Sequence, residues 1–300
     1  MPDSLRHAIL GAGGIGGLIG ACLARGRSNV TLVVRPESLA SYPHELRLES
    51  PFGNFSVPVN RAPEVPPVDV LWVTVKATEL GSALTSVKNP ASVRAIVPLL
   101  NGVDHLALLR SKYGSDKVIP ATIAVESERV APAHIVHRTP FARLNVLTAG
   151  EPLLARTLDD LRGLGFECRF VADEPTLMWS KLVFLAPFAL TTSAANRTTG
   201  AVIADPEWKS RLESCVREAC AVGLAEGAKV NADATFAAML KMPPDMRSSM
   251  QKDIAQGKPP ELDAIAGPIL RGADQHKIEA PVTRALTATI EAKMAVPKAG

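Results

Sequence analysis

Apolar positions in the first half of the chain come in short, nearly unbroken runs separated by turn residues. HAIL (His7–Leu10), NVTLVV (Asn29–Val34), DVLWVTVK (Asp69–Lys76) and RAIVPLLNGV (Arg94–Val103) each have the length and apolar density of a strand covered on both faces. Between the first two lies LIGACLARG, in which Leu18, Ala21, Cys22 and Ala24 recur at helical spacing before Gly26 stops the pattern. Strand, helix and strand in that order predict a βαβ unit and a parallel sheet. Further on, Ile119–Leu147 reads as antiparallel strands, with HIVHRTPFARLNVL the most regular part. LLARTLDDLRGLG (Leu153–Gly165) is an amphipathic helix and FECRFVAD (Phe166–Asp173) a last strand.

After Asp173 the strand pattern stops. WKSRLESCVREACAVGLAEG (Trp208–Gly227) repeats apolar residues at Trp208, Leu212, Cys215, Val216, Ala219 and Val222, one stripe of a helix. DATFAAML, DMRSSMQKDI, ELDAIAGPILRGA and VTRALTATIEAKM continue in the same manner. The expected architecture is therefore α/β, with an α/β domain over 1–172 followed by an all-α domain over 173–300. No repeat or low-complexity linker separates them, so a cleft rather than a tether is expected between the two.

Composition narrows the class. The chain has 300 residues, 47% of them hydrophobic, 21% charged and 4% aromatic, which is the balance of a globular protein with a sizeable core. Its net charge of +3 is dispersed, with no basic run to suggest a nucleic-acid partner. Four cysteines without paired spacing (Cys22, Cys168, Cys215, Cys220) read as free thiols of a reducing compartment, hence a cytoplasmic protein. The most apolar run outside the N-terminal stretch, LVFLAPFAL (Leu182–Leu190), is shorter than the roughly 20 residues a membrane span needs, so no membrane role is expected.

The N-terminal stretch AILGAGGIGGLIGACLARG is apolar enough to be mistaken for a leader, but its glycines argue otherwise. Gly11, Gly13 and Gly16 spell G-x-G-x-x-G between a strand and a helix, the context in which that motif means dinucleotide binding. Gly11 permits the tight turn, Gly13 lets a pyrophosphate approach the backbone, and Gly16 lets helix and strand pack closely. The first-turn N–H groups, including those of Gly14 and Ile15, then face the phosphates. At the end of the second strand, where an NAD-binding chain usually places an acid, stands Arg35. A guanidinium suits the 2′-phosphate of NADP, so NADPH is the expected cofactor; the competing reading is a solvated loop arginine.

Strand ends of a doubly wound sheet deliver side chains to the ligand crevice, which singles out Lys76 and Asn101. A solvated lysine and an ordinary Asn-Gly turn compete with that reading. His134 and His137, three apart on a strand, point to opposite faces and do not make a shared metal site. Lys181 precedes nine uncharged residues. Desolvation there would lower its pKa and make it a usable proton donor, whereas a lysine with its stem laid along a helix surface is the plainer reading.

Taken together, GAGGIG at the start, Arg35, VTVKA around Lys76, LLNGV around Asn101, WSKL around Lys181, and SSMQKDI followed by PPELD resemble the ketopantoate reductase (2-dehydropantoate 2-reductase) family from end to end. The resemblance implies a Rossmann domain followed by a helical domain, with the active site between them and a place in pantothenate biosynthesis. It implies reduction of a small 2-oxo acid by NADPH, without a metal. Lys181 becomes the catalytic acid, Glu261 holds the substrate hydroxyl or orients the lysine, and Ser249 meets the substrate carboxylate. Asn101 lies near nicotinamide and substrate. On its residues alone Glu261 would be no more than an acid at a helix start. Helical domains of this kind often pair, which leaves room for a homodimer.

Three positions depart from the family pattern. Leu185, Ala189 and Thr199 stand where asparagines are usual. A pocket without those amides leaves a polar substrate short of partners, at roughly 1–3 kcal/mol for each unmade hydrogen bond. That favours a relative acting on a different, more apolar 2-oxo acid. A catalytically silent NADP(H)-binding sensor is a rival from another class, and an imine-forming or β-hydroxyacid dehydrogenase is a rival of the same architecture.

Overall fold

The computed structural model describes residues 5–295 and divides into two compact units. The first runs to Leu100 and continues from His105 to Ala172, and the second takes Asn101–Asp104 and everything from Asp173. Asn101, which a strand-end reading assigns to the first domain, thus belongs with the helices.

In the first unit, β1 (Arg6–Leu10), α1 (Gly14–Arg25) and β2 (Asn29–Val33) form the expected βαβ unit, followed by the short helix α2 (Pro36–Leu39). Three strands without counterparts in the apolar-run pattern come next: β3 (Glu45–Glu49), β4 (Phe55–Pro58) and β5 (Asn60–Ala62). Then follow β6 (Val68–Val73), α3 (Leu80–Ala83), β7 (Val93–Pro98) and α4 (His105–Tyr113). The remainder is β8 (Ala121–Ala124), β9 (Ser127–Ala131), β10 (His134–His137), β11 (Arg143–Leu147), α5 (Glu151–Gly163) and β12 (Glu167–Val171).

The principal sheet is parallel throughout, in the order β5-β2-β1-β6-β7, with Ala8 opposite Thr31 on one side and Leu71 on the other. It is a Rossmann-type sheet. Ile9, Leu32 and Trp72 are fully buried in its core, and each large aliphatic side chain so placed is worth roughly 1.5–3 kcal/mol. The segment Ile119–Leu147 does not form one antiparallel sheet. β9 and β10 join β4-β3-β10-β9, β8 and β11 join β12-β11-β8, and both sheets mix parallel and antiparallel pairs.

The second unit is helical: α6 (Glu174–Ala195), α7 (Thr199–Ala204), α8 (Pro206–Ala225), α9 (Ala232–Met239), α10 (Ser249–Ala255), α11 (Leu262–His276) and α12 (Pro281–Ala295). The stripe anticipated on α8 faces inward, with Leu212, Cys215, Val216, Ala219 and Val222 all buried. Helix starts are set by side-chain caps, Asp205 accepting from Glu207 and Trp208 N–H and Asn231 from Ala234 N–H. The run Leu182–Leu190 lies in a helix of 22 residues, longer than the run itself and apolar enough by composition to cross a bilayer. Most of that helix is buried among the other helices, as a core helix is. All four cysteines are free and buried.

Candidate active site

The glycine turn follows β1. Gly11 has φ +105°, and a Cβ there would lie 2.7 Å from the Val75 amide nitrogen. At Gly14 a Cβ would meet the Ser127 carbonyl at 2.0 Å, and at Gly16 the Gly11 carbonyl at 2.2 Å. Gly13 is different, because nothing lies within 4 Å of the Cβ it lacks. The turn is thus packed tight at Gly11, Gly14 and Gly16 and open at Gly13, the glycine that the motif reserves for a pyrophosphate. Thr74 Oγ1 donates to the Gly11 carbonyl at 2.8 Å and holds the turn closed. Gly13 is the cap residue of α1, with no side-chain cap and no acidic residue in the first turn. The positive end of the helix dipole, at Gly14, Ile15 and Gly16, is left for an anion. These features fit the diphosphate of a dinucleotide.

Two residues far along the chain attend the same turn, and the sequence carries no signal for either. Ser127 Oγ donates to the Gly14 carbonyl at 2.9 Å, and Arg129 donates through Nη1 to the Ala12 carbonyl at 3.4 Å. Arg35 caps α2, is exposed, and pairs with Glu79 at 3.5 Å. Lys76 lies beyond the end of β6, half-buried, at the head of a short 3₁₀ turn over Ala77–Glu79.

The second unit collects three of the other candidates. Lys181 projects from α6, whose Met178, Trp179, Leu182 and Val183 are buried. Desolvation lowers its pKa from 10.5 to about 8, and the Glu261 carboxylate opposes that shift only in part. Glu261 stands at the cap position of α11 but makes no side-chain cap bond; it is 9% exposed, and its Oε2 accepts from Asn101 Nδ2 at 3.0 Å. The helix-start reading of this acid is therefore insufficient. Asn101 is held in place by its neighbours. Gly102 has φ +81°, and a Cβ there would lie 2.1 Å from the Ala264 carbonyl. Arg271 binds both Asp104 and Asp263, tying the segment to α11.

Ser249 makes no hydrogen bond to this group. It is exposed at the first position of α10, and its neighbour Ser248 is the buried cap, accepting from Gln251 N–H at 3.2 Å and from Thr192 at 3.0 Å. Leu185 and Ala189 follow Lys181 along one face of α6, the first half-buried and the second buried. The Thr199 hydroxyl donates to the Met246 carbonyl at 3.2 Å, so its polarity is spent inside the fold. His134 and His137 have separate partners, Glu49 at 2.9 Å and Ser50 at 2.9 Å. Among the described residues no cluster of His, Cys, Asp or Glu side chains could hold a metal ion.

The first unit carries a tight glycine turn in a parallel sheet, and the second carries a desolvated lysine and a carboxylate–amide pair; the class is a nicotinamide-dependent oxidoreductase acting on CH–OH groups. The chain belongs to the ketopantoate reductase family: residues 7–147 match "Ketopantoate reductase PanE/ApbA" and residues 175–294 match its C-terminal model. It is 30% identical over 295 residues to a 2-dehydropantoate 2-reductase of Caulobacter vibrioides, covering 95% of this chain and 98% of that one. An uncharacterized oxidoreductase of Bacillus subtilis is 27% identical over 303 residues, covering 96% and 98%. Among solved structures, a PanE/ApbA family ketopantoate reductase from Ralstonia eutropha superposes with a TM-score of 0.84 at 24% identity, covering 97% and 98%. D-mandelate dehydrogenase with NADH and anilino(oxo)acetate has the same fold, with a TM-score of 0.84 at 18% identity and the same coverage.

Proposed function

We propose that the protein reduces a 2-oxo acid to the 2-hydroxy acid with NADPH, using Lys181 as the acid, and that its substrate is more apolar than 2-dehydropantoate. The observation that carries the chemistry is Lys181, whose pKa of about 8 leaves an ammonium that gives up its proton readily near neutral pH. When bound, the nicotinamide supplies the hydride. Lys181 polarises the substrate carbonyl, and as C2 gains the hydride and the C=O π bond breaks, Nζ passes its proton to the oxygen. Glu261 keeps charge beside the lysine and fixes the Asn101 amide, which hydrogen-bonds the reacting group. Ser249, exposed at the head of α10, receives the substrate carboxylate. Arg35 takes the 2′-phosphate, exchanging Glu79 for a ligand with more charge.

Substrate choice rests on α6. Leu185 and Ala189 offer no hydrogen bonds, and the Thr199 hydroxyl is already engaged. An aliphatic or aryl 2-oxo acid suits such a wall, and the fold accommodates one, since D-mandelate dehydrogenase holds anilino(oxo)acetate. The test is NADPH oxidation across a series of 2-oxo acids. Higher kcat/KM for phenylpyruvate or a branched-chain oxo acid than for 2-dehydropantoate is expected. Efficient turnover of 2-dehydropantoate alone overturns the substrate assignment. NADPH binding with no oxidation by any 2-oxo acid overturns the enzyme reading.

A further inference from the structure

We propose that Arg129 is a cofactor-binding residue that neutralises the diphosphate bridge of the dinucleotide. The proposal rests on the cofactor reading above but assigns a residue outside the βαβ unit. Within residues 11–18 of the glycine turn and first helical turn there is no charged side chain. The helix end offers only about half an elementary charge against the two negative charges of a diphosphate. The structure supplies a whole cation from elsewhere. β9 is seated on the turn by two independent features, the Ser127 hydroxyl bonded to the Gly14 carbonyl at 2.9 Å and the absent Gly14 Cβ that would strike the Ser127 carbonyl at 2.0 Å.

Residues two apart on a strand share a face, so fixing Ser127 also fixes the side of the turn that Arg129 meets. Its Nη1 donates to the Ala12 carbonyl at 3.4 Å, between Gly11 and Gly13. Arg129 is exposed, and the neighbouring carboxylate, Glu128, is engaged by Arg138 at 3.2 Å. A guanidinium has five N–H donors in a fork that matches phosphate oxygens, and one weak bond to a carbonyl leaves the rest of that fork for a ligand. Arg129 and Arg35 therefore divide the cofactor between them. Arg35 faces the phosphate that distinguishes NADPH from NADH, and Arg129 faces the diphosphate that the two share.

The experiment is equilibrium binding, followed by nucleotide fluorescence or calorimetry, of NADPH, NADH and adenosine 2′-monophosphate to the full chain and to Arg129→Met. Loss of one charge-assisted contact should weaken NADPH and NADH alike by about tenfold, with their ratio unchanged and adenosine 2′-monophosphate, which lacks the diphosphate, unaffected. The conservative Arg129→Lys should recover part of the loss, which keeps the proposal testable if the methionine variant proves unstable. An unchanged affinity for both dinucleotides, or a loss confined to NADPH and adenosine 2′-monophosphate, overturns the assignment. Failure of the unaltered chain to bind either dinucleotide overturns the cofactor reading itself and is distinguishable from both.

Discussion

Asn101 donates its amide N–H to the Glu261 carboxylate at 3.0 Å across 160 residues of chain. The bond joins an Asn-Gly turn to the head of a helix, and its acceptor, Glu261, acts on the charge of Lys181. A carboxylate that is buried and hydrogen-bonded can serve as a fixed negative charge for a neighbouring ammonium.

Because that charge raises the Lys181 pKa against desolvation, Glu261→Gln should lower it. In the unaltered enzyme the reduction rate should fall as pH rises through about 8, where Lys181 loses its proton. In Glu261→Gln the same descending limb should move to lower pH. The kcat/KM profile between pH 5 and 10 measures both; a limb that does not move removes Glu261 from the proton chemistry.

Replacing the proposed acid is a sharper cut. Lys181→Ala should lower kcat by about 100-fold or more, with the dissociation constant for NADPH unchanged. A variant that keeps its rate would place the proton source elsewhere.

The proposed preference for NADPH rests on an exposed pair, Arg35 and Glu79. Arg35→Ala should weaken NADPH binding by about tenfold and leave NADH nearly unaffected, the size expected for one charge-assisted phosphate contact. Glu79→Gln should act in the opposite direction for NADPH, since Arg35 no longer has a competing carboxylate. Fluorescence titration of both cofactors reads the two effects together.

Gly102 carries a backbone that other residues adopt with strain, and its missing Cβ is filled by the Ala264 carbonyl. Gly102→Ala should cost on the order of 1–3 kcal/mol in stability and displace Asn101 from Glu261. A lowered melting temperature accompanied by a fall in kcat, measured well below that temperature, is the expected outcome.

Leu185→Asn places an amide one helical turn beyond Lys181 on the same face. The side chain is half-buried, so the change is tolerable. It should raise the kcat/KM ratio of 2-dehydropantoate to phenylpyruvate by several-fold, in line with roughly 1 kcal/mol for a hydrogen bond gained. An unaltered ratio would mean that this face does not meet the substrate.

The βαβ unit is legible in the sequence because its signals are local: a strand-length apolar run, glycines in register and a helical stripe within residues 7–34. The same holds for α8, where five of the six predicted inward positions are buried and Trp208 is partly so. β3, β4 and β5 are hard to see because they are three to five residues long and bury alternate side chains at most. The alternation of Leu46 and Leu48 is the signal that could have found β3. Strand pairing over Ile119–Leu147 departs from expectation because neighbours in sequence join different sheets. Site residues divide similarly. Lys181 stands out by its apolar surroundings, whereas Glu261 rests on family resemblance and Arg129 on nothing local, since what marks it is the carbonyl of a residue 117 positions earlier.

The four residues Asn101–Asp104 lie within the first half of the chain yet fold with the second. No single cut, therefore, yields the helical half whole. A fragment starting at Asp173 would be made without the amide that grips Glu261 and without the aspartate that Arg271 ties down. Anyone dissecting the protein into pieces, or grafting the helical half onto another nucleotide-binding partner, must transplant that tetrapeptide along with it.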